Sequence, residues 1–419
     1  MPTLGSPTIP IDKATLTSFH VMARFYGKYN FPNNPVYNTL MRIGFFADMY
    51  LPHVSGVTNH IRLYKRYFET LGHEVFLITF GSTQHDDDES NIVRNPGVPW
   101  GNTGWNYGPA FNKETRDLIP TLDIVHTHHP FQSGSYLLKH MKKADIPLVF
   151  TNHTRYDLYA DTYASAIPYT RRHKWNSRYL SYFTQQCDLV VAPSSGIADW
   201  LTEYAQFDGA QVIPNGIDLS AFQAGADTEL NRAQLGVGED DVLLCYVGRI
   251  AHEKNIAYLL NEFASLAKRN TQVKLMLVGD GTEMAYTQDF TQRHKLEERI
   301  ILTGPQEYEA IPSYVALADA FITGSVSEVH PLVVIEALAA SLPVIAVASP
   351  GISDTVQHGK SGLLAVAPEP NALMYEAEKV VKDEDLRTEL SRGASERAQH
   401  YCLNNTAGQL LDSYKQLLK

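Results

Sequence analysis

The segment SEVHPLVVIEALAASLPVIA, residues 327–346, carries two carboxylates, Glu328 and Glu336, eight positions apart around an apolar stretch. A carboxylate is an acceptor-only group that can take two hydroxyls of a sugar at once. Glu336, over a turn into a helix, suits a ribose, and Glu328, just ahead of that helix, suits a second sugar. Pro331 fits the first turn, where a missing N–H costs nothing, and the amides of Leu332 and Val333 would face outward beside Glu328. The rival reading makes Glu336 the satisfied partner of a buried donor, because apolar residues surround it. A second pair lies in YVGRIAHEKN, where Gly248 closes an apolar run and is followed by Arg249 and, five residues later, Lys254. A guanidinium and an ammonium at a helix start act together with its amides and dipole on a multiply charged anion, such as a diphosphate. Alone the pair would read as solvated surface; its position at a strand end reverses that preference.

Histidines form a third group. HTHHPF sets His126, His128 and His129 at the end of one apolar run, and FTNHTRYDLY sets His153 just after the next. A metal cluster is one reading of such residues, and substrate contact is another. The acid run Asp86 to Asp88 in HDDDES lies between elements and reads as a solvated loop, not as a metal motif.

These residues need a scaffold of strand ends. From Met41 the chain alternates RIGFFA, EVFLITF, DIVHTH, IPLVFT, DLVVAP and QVIP with helical stretches, the first of them TNHIRLYKRYFETLG closed by Gly72. The pattern restarts with DVLLCYVG, VKLMLVG, RIILTG, DAFITG, PVIAVA and SGLLAV. Such alternation predicts an α/β fold with two doubly wound Rossmann-like domains, each a parallel sheet covered on both faces, whose strand ends face a common cleft. The expected division is an N-terminal extension at 1–40, a first domain at 41–215, a linker at 216–239, a second domain at 240–400, and a final helix at 401–419 packing back on the first domain. Within the extension only a short helix near FHVMARFY is expected.

Composition excludes several classes. The 419 residues suffice for two cores, and the net charge of -11 argues against broad affinity for nucleic acid. No apolar run reaches membrane-spanning length, and the first residues lack a secretory layout, so a cytoplasmic protein is expected. Cys187, Cys245 and Cys402 are far apart and odd in number, which predicts reduced thiols without disulfide or zinc.

The ordered set of VGRIAHEKN, VGDGTE at 278–283, the Glu-x7-Glu pattern, PNGID and PHVSGVTNH resembles the family 4 retaining glycosyltransferases of GT-B architecture over nearly all of 41–419. The resemblance implies that Arg249 and Lys254 bind a donor diphosphate, Glu336 the ribose and Glu328 the donor sugar. It places Ser55 and Gly56 near the sugar phosphate, Gly248, Gly279, Leu332 and Val333 in the nucleotide-sugar site, and Gln306 near the base. It makes His153 a hydrogen-bonding partner of the transferred sugar, with His128 structural or facing the acceptor, and it implies neither a metal nor a cofactor beyond the nucleotide-sugar donor. In that family the acceptor hydroxyl attacks from the face that the phosphate leaves, so configuration is retained.

The segment HTRYDLYADTYASAIPYT resembles diacylglycerol glucosyltransferases, which implies a glucosyl donor of the UDP-sugar type and a lipid acceptor; SGVTNHI also resembles mannosyltransferases of lipid acceptors. From Thr162 to Cys187 there is no acidic residue. There Arg171, Lys174 and Arg178, with Arg172 nearby, share a helical arc adjoining Trp175, Tyr179 and Tyr182. The pattern suits an interfacial helix on the inner face of an anionic membrane, and His128 and Tyr156 are candidates for the acceptor side. The bland reading makes the aromatics core and the cations solvated. A soluble acceptor, a GT-B sugar-nucleotide epimerase and a non-catalytic sugar-nucleotide binding protein are the alternatives. Two features depart from the family pattern: Pro331 stands where relatives often have glycine, and the first forty residues have no counterpart.

Overall fold

The apolar runs form two sheets in the computed structural model, which describes residues 40–99, 105–141, 144–158, 168–223 and 230–419. The expected helix near FHVMARFY lies outside the described residues, as do 159–167 of the segment ahead of the basic helix and 224–229 of the linker. In the first half the strands are β1 (Arg42–Phe46), β2 (Glu74–Gly81), β3 (Ile92–Pro96), β4 (Val98–Pro99), β5 (Asn106–Tyr107), β6 (Ile124–Thr127), β7 (Leu148–Thr151), β8 (Leu189–Ala192) and β9 (Gln211–Val212). They assemble in the order β3-β2-β1-β6-β7-β8-β9, with β4 and β5 as a separate antiparallel pair. In the second half β10 (Val242–Val247), β11 (Val273–Val278), β12 (Ile300–Gly304), β13 (Ala320–Thr323), β14 (Val344–Val347) and β15 (Gly362–Ala365) assemble as β12-β11-β10-β13-β14-β15.

All pairings within the two larger sheets are parallel, with Ile43 registered against both Val75 and Ile124, and Leu244 against Leu275 and Ala320. Parallel strands are buried on both faces, which is why they read as unbroken apolar runs. In each sheet the strand order reverses beside the first strand, at β1/β6 and at β10/β13, and open α/β sheets bind ligands in the crevice at such switch points. The loops after β1, β6, β7, β10 and β13 carry most of the candidate residues.

Six helices position the site: α1 (Gly56–Thr70), α2 (Tyr169–Thr184), α3 (Ser195–Ala205), α4 (Leu332–Ala339), α5 (Pro350–Thr355) and α6 (Leu403–Leu417). Helix α1 starts two residues before the predicted segment because Ser55 caps it, exchanging bonds with Thr58. Helix α6 follows the second sheet but lies against the first: Tyr64 Oη bonds Thr406 Oγ1 at 2.8 Å, His126 Nδ1 bonds Tyr414 Oη at 2.5 Å, and Ser413 donates to Gln211. The two halves also meet at α3 and α5, where Asp354 accepts from Ser195 Oγ and from the Gly196 amide, both at 2.8 Å. Gly196 permits that approach, since a Cβ there would lie 2.7 Å from Pro350. Residues 41–419 form one compact unit. The three cysteines are free thiols, and among the described residues no helix is long and apolar enough to cross a membrane.

Candidate functional site

The second-sheet side of the site begins with two glycines in backbone conformations that other residues rarely adopt. Gly248 and Gly279 end β10 and β11 at φ of 144° and 142°, and a Cβ on Gly279 would sit 2.0 Å from the Gly248 carbonyl oxygen. This backbone contact sends the chain from Gly248 through Arg249 into a short turn, His252–Lys254, ahead of the next helix. Three bonds tie that turn to the loop after β13. Asn255 Nδ2 donates to the Gly324 carbonyl at 3.1 Å, Ser327 Oγ to that of Glu253 at 2.9 Å, and Lys254 Nζ meets Glu328 Oε1 at 2.7 Å. Glu328, 74 positions beyond Lys254, thereby shares one charged corner with Lys254 and Arg249. Lys254, expected at the donor diphosphate, and Glu328, expected at the donor sugar, are in direct contact. Burial alone would raise the Glu328 carboxyl, but Lys254, Ser325 and Arg249 outweigh it and hold the pKa below its ordinary value. Arg249 also pairs with Glu253 at 2.6 Å and remains half-exposed.

Glu336 behaves differently. Pro331 is the N-cap of α4, one position ahead of the predicted first turn, and its carbonyl accepts from the amides of Val334 and Ile335, which leaves those of Leu332 and Val333 outside the helical ladder. One and a half turns on, Glu336 is 3% exposed. Burial pushes its pKa up to about 7, against the Tyr308 hydroxyl that donates to Oε1 at 2.9 Å. The carboxylate thus has the buried donor that the rival reading required, and it lies on the helix whose first amides open beside Glu328. Gln306, just beyond β12, donates to the Thr303 carbonyl.

On the first-sheet side, Gly56 opens α1 with no atom within 4 Å of where a Cβ would be, so open space adjoins the first residue of the helix. The pKa of His53, in the preceding loop, is depressed by burial and then by the Arg249 guanidinium. Behind it lies a set of stacked imidazoles. His128 Nδ1 and His153 Nε2 are 2.9 Å apart, His126 stacks on His128 with centroids 4.4 Å apart, and His60 meets His153 edge-on at 4.7 Å. His126 and His128 are fully buried, His60 nearly so, and His153 is half-buried at the rim. His126 is spoken for by Tyr414 and Thr151, a structural role. His129 is also internal, accepting from the Asp48 amide through Nδ1.

The loop bearing Glu328 also joins the halves. Val329 packs among Phe150, Tyr156 and Trp200 of the first half, and its carbonyl accepts from Ser194 Oγ at 3.0 Å. Removing such a side chain from water contributes about 2 kcal/mol. Asn215 Nδ2 holds the His330 carbonyl at 3.2 Å.

The acceptor candidates separate. Tyr156 is 2% exposed, packed edge-on against Phe131, and lies on no open acceptor face. His128 is likewise internal and reaches the cleft only through His153. On α2, Arg171, Lys174, Arg178, Trp175 and Tyr182 are exposed, Trp175 at 78%, and at 3.6 residues per turn they cover about 100° of arc. Tyr179 departs from the expected stripe: its ring stacks on Phe131 and its hydroxyl bonds Ser135 and the Pro130 carbonyl. Arg172 lies over the Tyr169 ring. In the acid run Asp87 is bound by Arg94 through two bonds, while Asp86 and Asp88 are exposed.

Three contributors escaped the sequence reading. His60 lies within the helical stretch TNHIRLYKRYFETLG, where His60 and Tyr64, four residues apart, mark one inward face. His53 sat in a loop without periodicity, and Tyr308 lies in a single turn, Tyr308–Ala310, with no pattern to reveal it.

Comparison with known proteins bears on the family and the fold. Residues 54–221 match Glycosyltransferase Family 4, and residues 227–397 match Glycosyl transferases group 1. The alpha-monoglucosyldiacylglycerol synthase of Streptococcus pneumoniae is 31% identical over 77% of this chain and 75% of its own. The enzyme of the same name from Acholeplasma laidlawii is 30% identical over 77% and 84%. A solved structure of Anabaena Alr3699/HepE in complex with UDP and glucose superposes with a TM-score of 0.72, at 19% identity, over 90% of this chain and all of that one. With both halves matched and the paired parallel sheets in place, the chain belongs to the family 4 glycosyltransferases of GT-B architecture.

Proposed function

We propose that this glycosyltransferase moves glucose from UDP-glucose to the free hydroxyl of diacylglycerol at the cytoplasmic surface of an anionic membrane, with retention of configuration. The observation that carries the lipid acceptor is the exposed arc of α2, where three cations flank an almost fully exposed tryptophan. An apolar ring beside cations is unfavourable in water and favourable at a headgroup boundary. The two synthases named above and the UDP-glucose components bound to the Anabaena protein support the choice of donor and acceptor.

In this reading Arg249, Lys254 and the open amides of α1 and α4 hold the diphosphate, whose charge grows as the sugar leaves. Glu336 accepts ribose hydroxyls. Glu328, kept ionised by Lys254, accepts sugar hydroxyls, and the rim histidine His153 orients the sugar. The C1–diphosphate bond breaks, the acceptor oxygen bonds C1 from the same face, and its proton passes to the departing phosphate oxygen. Transfer runs without a divalent ion, because fixed cations and helix amides do that work.

The test incubates the protein with UDP-glucose, UDP-galactose or GDP-mannose and with diacylglycerol in anionic vesicles or a panel of soluble hydroxyl acceptors. Product mass and the anomeric proton coupling are read. An α-glucosyl lipid is expected. Transfer only to soluble acceptors, or a β-linked product, would overturn the acceptor or the stereochemistry.

A further inference from the structure

His60, His128 and His153 come from three elements, α1 and the loops after β6 and β7, yet each brings a ring nitrogen within 4.8 Å of the others. The His128 and His153 nitrogens already face each other at 2.9 Å. Each neutral ring carries one proton, so moving the shared proton to the far nitrogen of its own ring leaves two lone pairs aimed at one point. One further nitrogen, His60 Nδ1, is buried without a hydrogen-bond partner. A buried polar atom left in that state costs roughly 1–3 kcal/mol, so the cluster is not at its most stable as it stands. At pH 7 an ordinary imidazole is mostly neutral, the form that binds a metal ion.

We propose that His60, His128 and His153 form a binding site for one transition-metal cation of the zinc type, and that filling it blocks the sugar end of the cleft. Three neutral imidazoles suit zinc, cobalt or nickel and not magnesium or calcium, which require oxygen ligands. At metal–nitrogen distances of about 2.0–2.1 Å a tetrahedral ion needs nitrogens about 3.3 Å apart. The His128 and His153 nitrogens therefore have to part slightly and His60 to close in, by small side-chain rotations, and His153, the half-buried member of the three, gives the ion its way in. The ion is an inhibitor and not a cofactor, because it takes the ring that orients the sugar; this consequence rests on the function proposed above.

The full chain, dialysed against a chelator, is titrated with Co2+ and followed by its visible ligand-field absorption. One equivalent should give the intense bands of a four-coordinate site, displaced by Zn2+ and untouched by Mg2+. His60→Gln and His153→Ala, each checked for an unchanged far-ultraviolet circular dichroism spectrum, should each weaken Co2+ binding at least about tenfold. No band beyond that of aqueous Co2+, or a band that both variants keep, overturns the site. Zn2+ should also inhibit transfer at the concentration that displaces Co2+. Metal binding without inhibition leaves the site standing and overturns its blocking role, together with the sugar contact assigned to His153.

Discussion

Removing the Tyr308 hydroxyl tests how the cleft reads the donor's ribose. Glu336 can accept two hydroxyls only as a carboxylate, and burial places its pKa at about 7 with Tyr308 holding it down. Donor affinity should therefore rise with pH up to about 7 and level off above it. A hydrogen bond to a charged acceptor contributes about 1.5–3 kcal/mol, and one pKa unit corresponds to about 1.4 kcal/mol, so Tyr308→Phe should move the inflection up by about 1–2 units. At pH 7 the ionised fraction then drops from about half to between a tenth and a hundredth, raising the donor KM roughly five- to fiftyfold. By pH 9 the two proteins should differ by about twofold or less. Glu336→Gln serves as the pH-independent control. Calorimetry in buffers of different ionisation enthalpy should record the release of close to one proton per donor bound at pH 6. The same carboxyl affects stability. Its folded pKa lies above the ordinary 4.5, so the folded chain keeps a proton that the unfolded chain has lost between pH 4.5 and 7. That contribution is complete below pH 4.5 and is lost as pH rises through 7, about 3 kcal/mol in all. A donor KM that is flat from pH 6 to 8, or an inflection that Tyr308→Phe leaves in place, would refute the reasoning.

Arg249→Ala and Lys254→Ala should each lower turnover by about a hundredfold or more, measured at saturating donor; near-normal turnover in both removes the cationic corner from the mechanism. Transfer should survive exhaustive chelation, and a loss restored by magnesium or manganese would return attention to Asp86–Asp88. Changing Arg171, Arg172, Lys174 and Arg178 to glutamine should lower partition onto anionic vesicles by up to about a thousandfold at low salt, at about 1 kcal/mol for each cation. Co-sedimentation reads this out, and equal binding by parent and variant would make α2 an ordinary solvated helix.

What the sequence made legible follows from periodicity and from charge at strand ends. The strands of both large sheets were readable because parallel strands are apolar throughout, with one exception. Edge strand β3 carries Arg94 and Asn95, whose side chains serve a buried polar network with Asp87, Thr79 and Asn112, and such a sequence does not look like a strand. Arg249, Lys254, Glu328 and Glu336 were recognisable because each type and position implied chemistry. The contact between Lys254 and Glu328 was not, since it depends on how two loops from strands adjacent in the sheet are tied by Asn255 and Ser327. Helix α2 escaped in the other direction. Aromatics at helical spacing usually pack inside, and only the structure separates Trp175, in solvent, from Tyr179, against Phe131.

The return of α6 to the first sheet gives the nascent chain a schedule. Residues 41–215 leave the ribosome some 190 residues ahead of that helix, which at about 5–20 residues per second is roughly ten to forty seconds. Through that interval the faces of Tyr64 and His126 that will meet Thr406 and Tyr414 remain uncovered. The first half thus waits, incomplete, while the second is made. An interruption anywhere between the second sheet and α6 would strand both halves at once, and the quality-control machinery of the cell would meet a protein whose earliest part is its last to be finished.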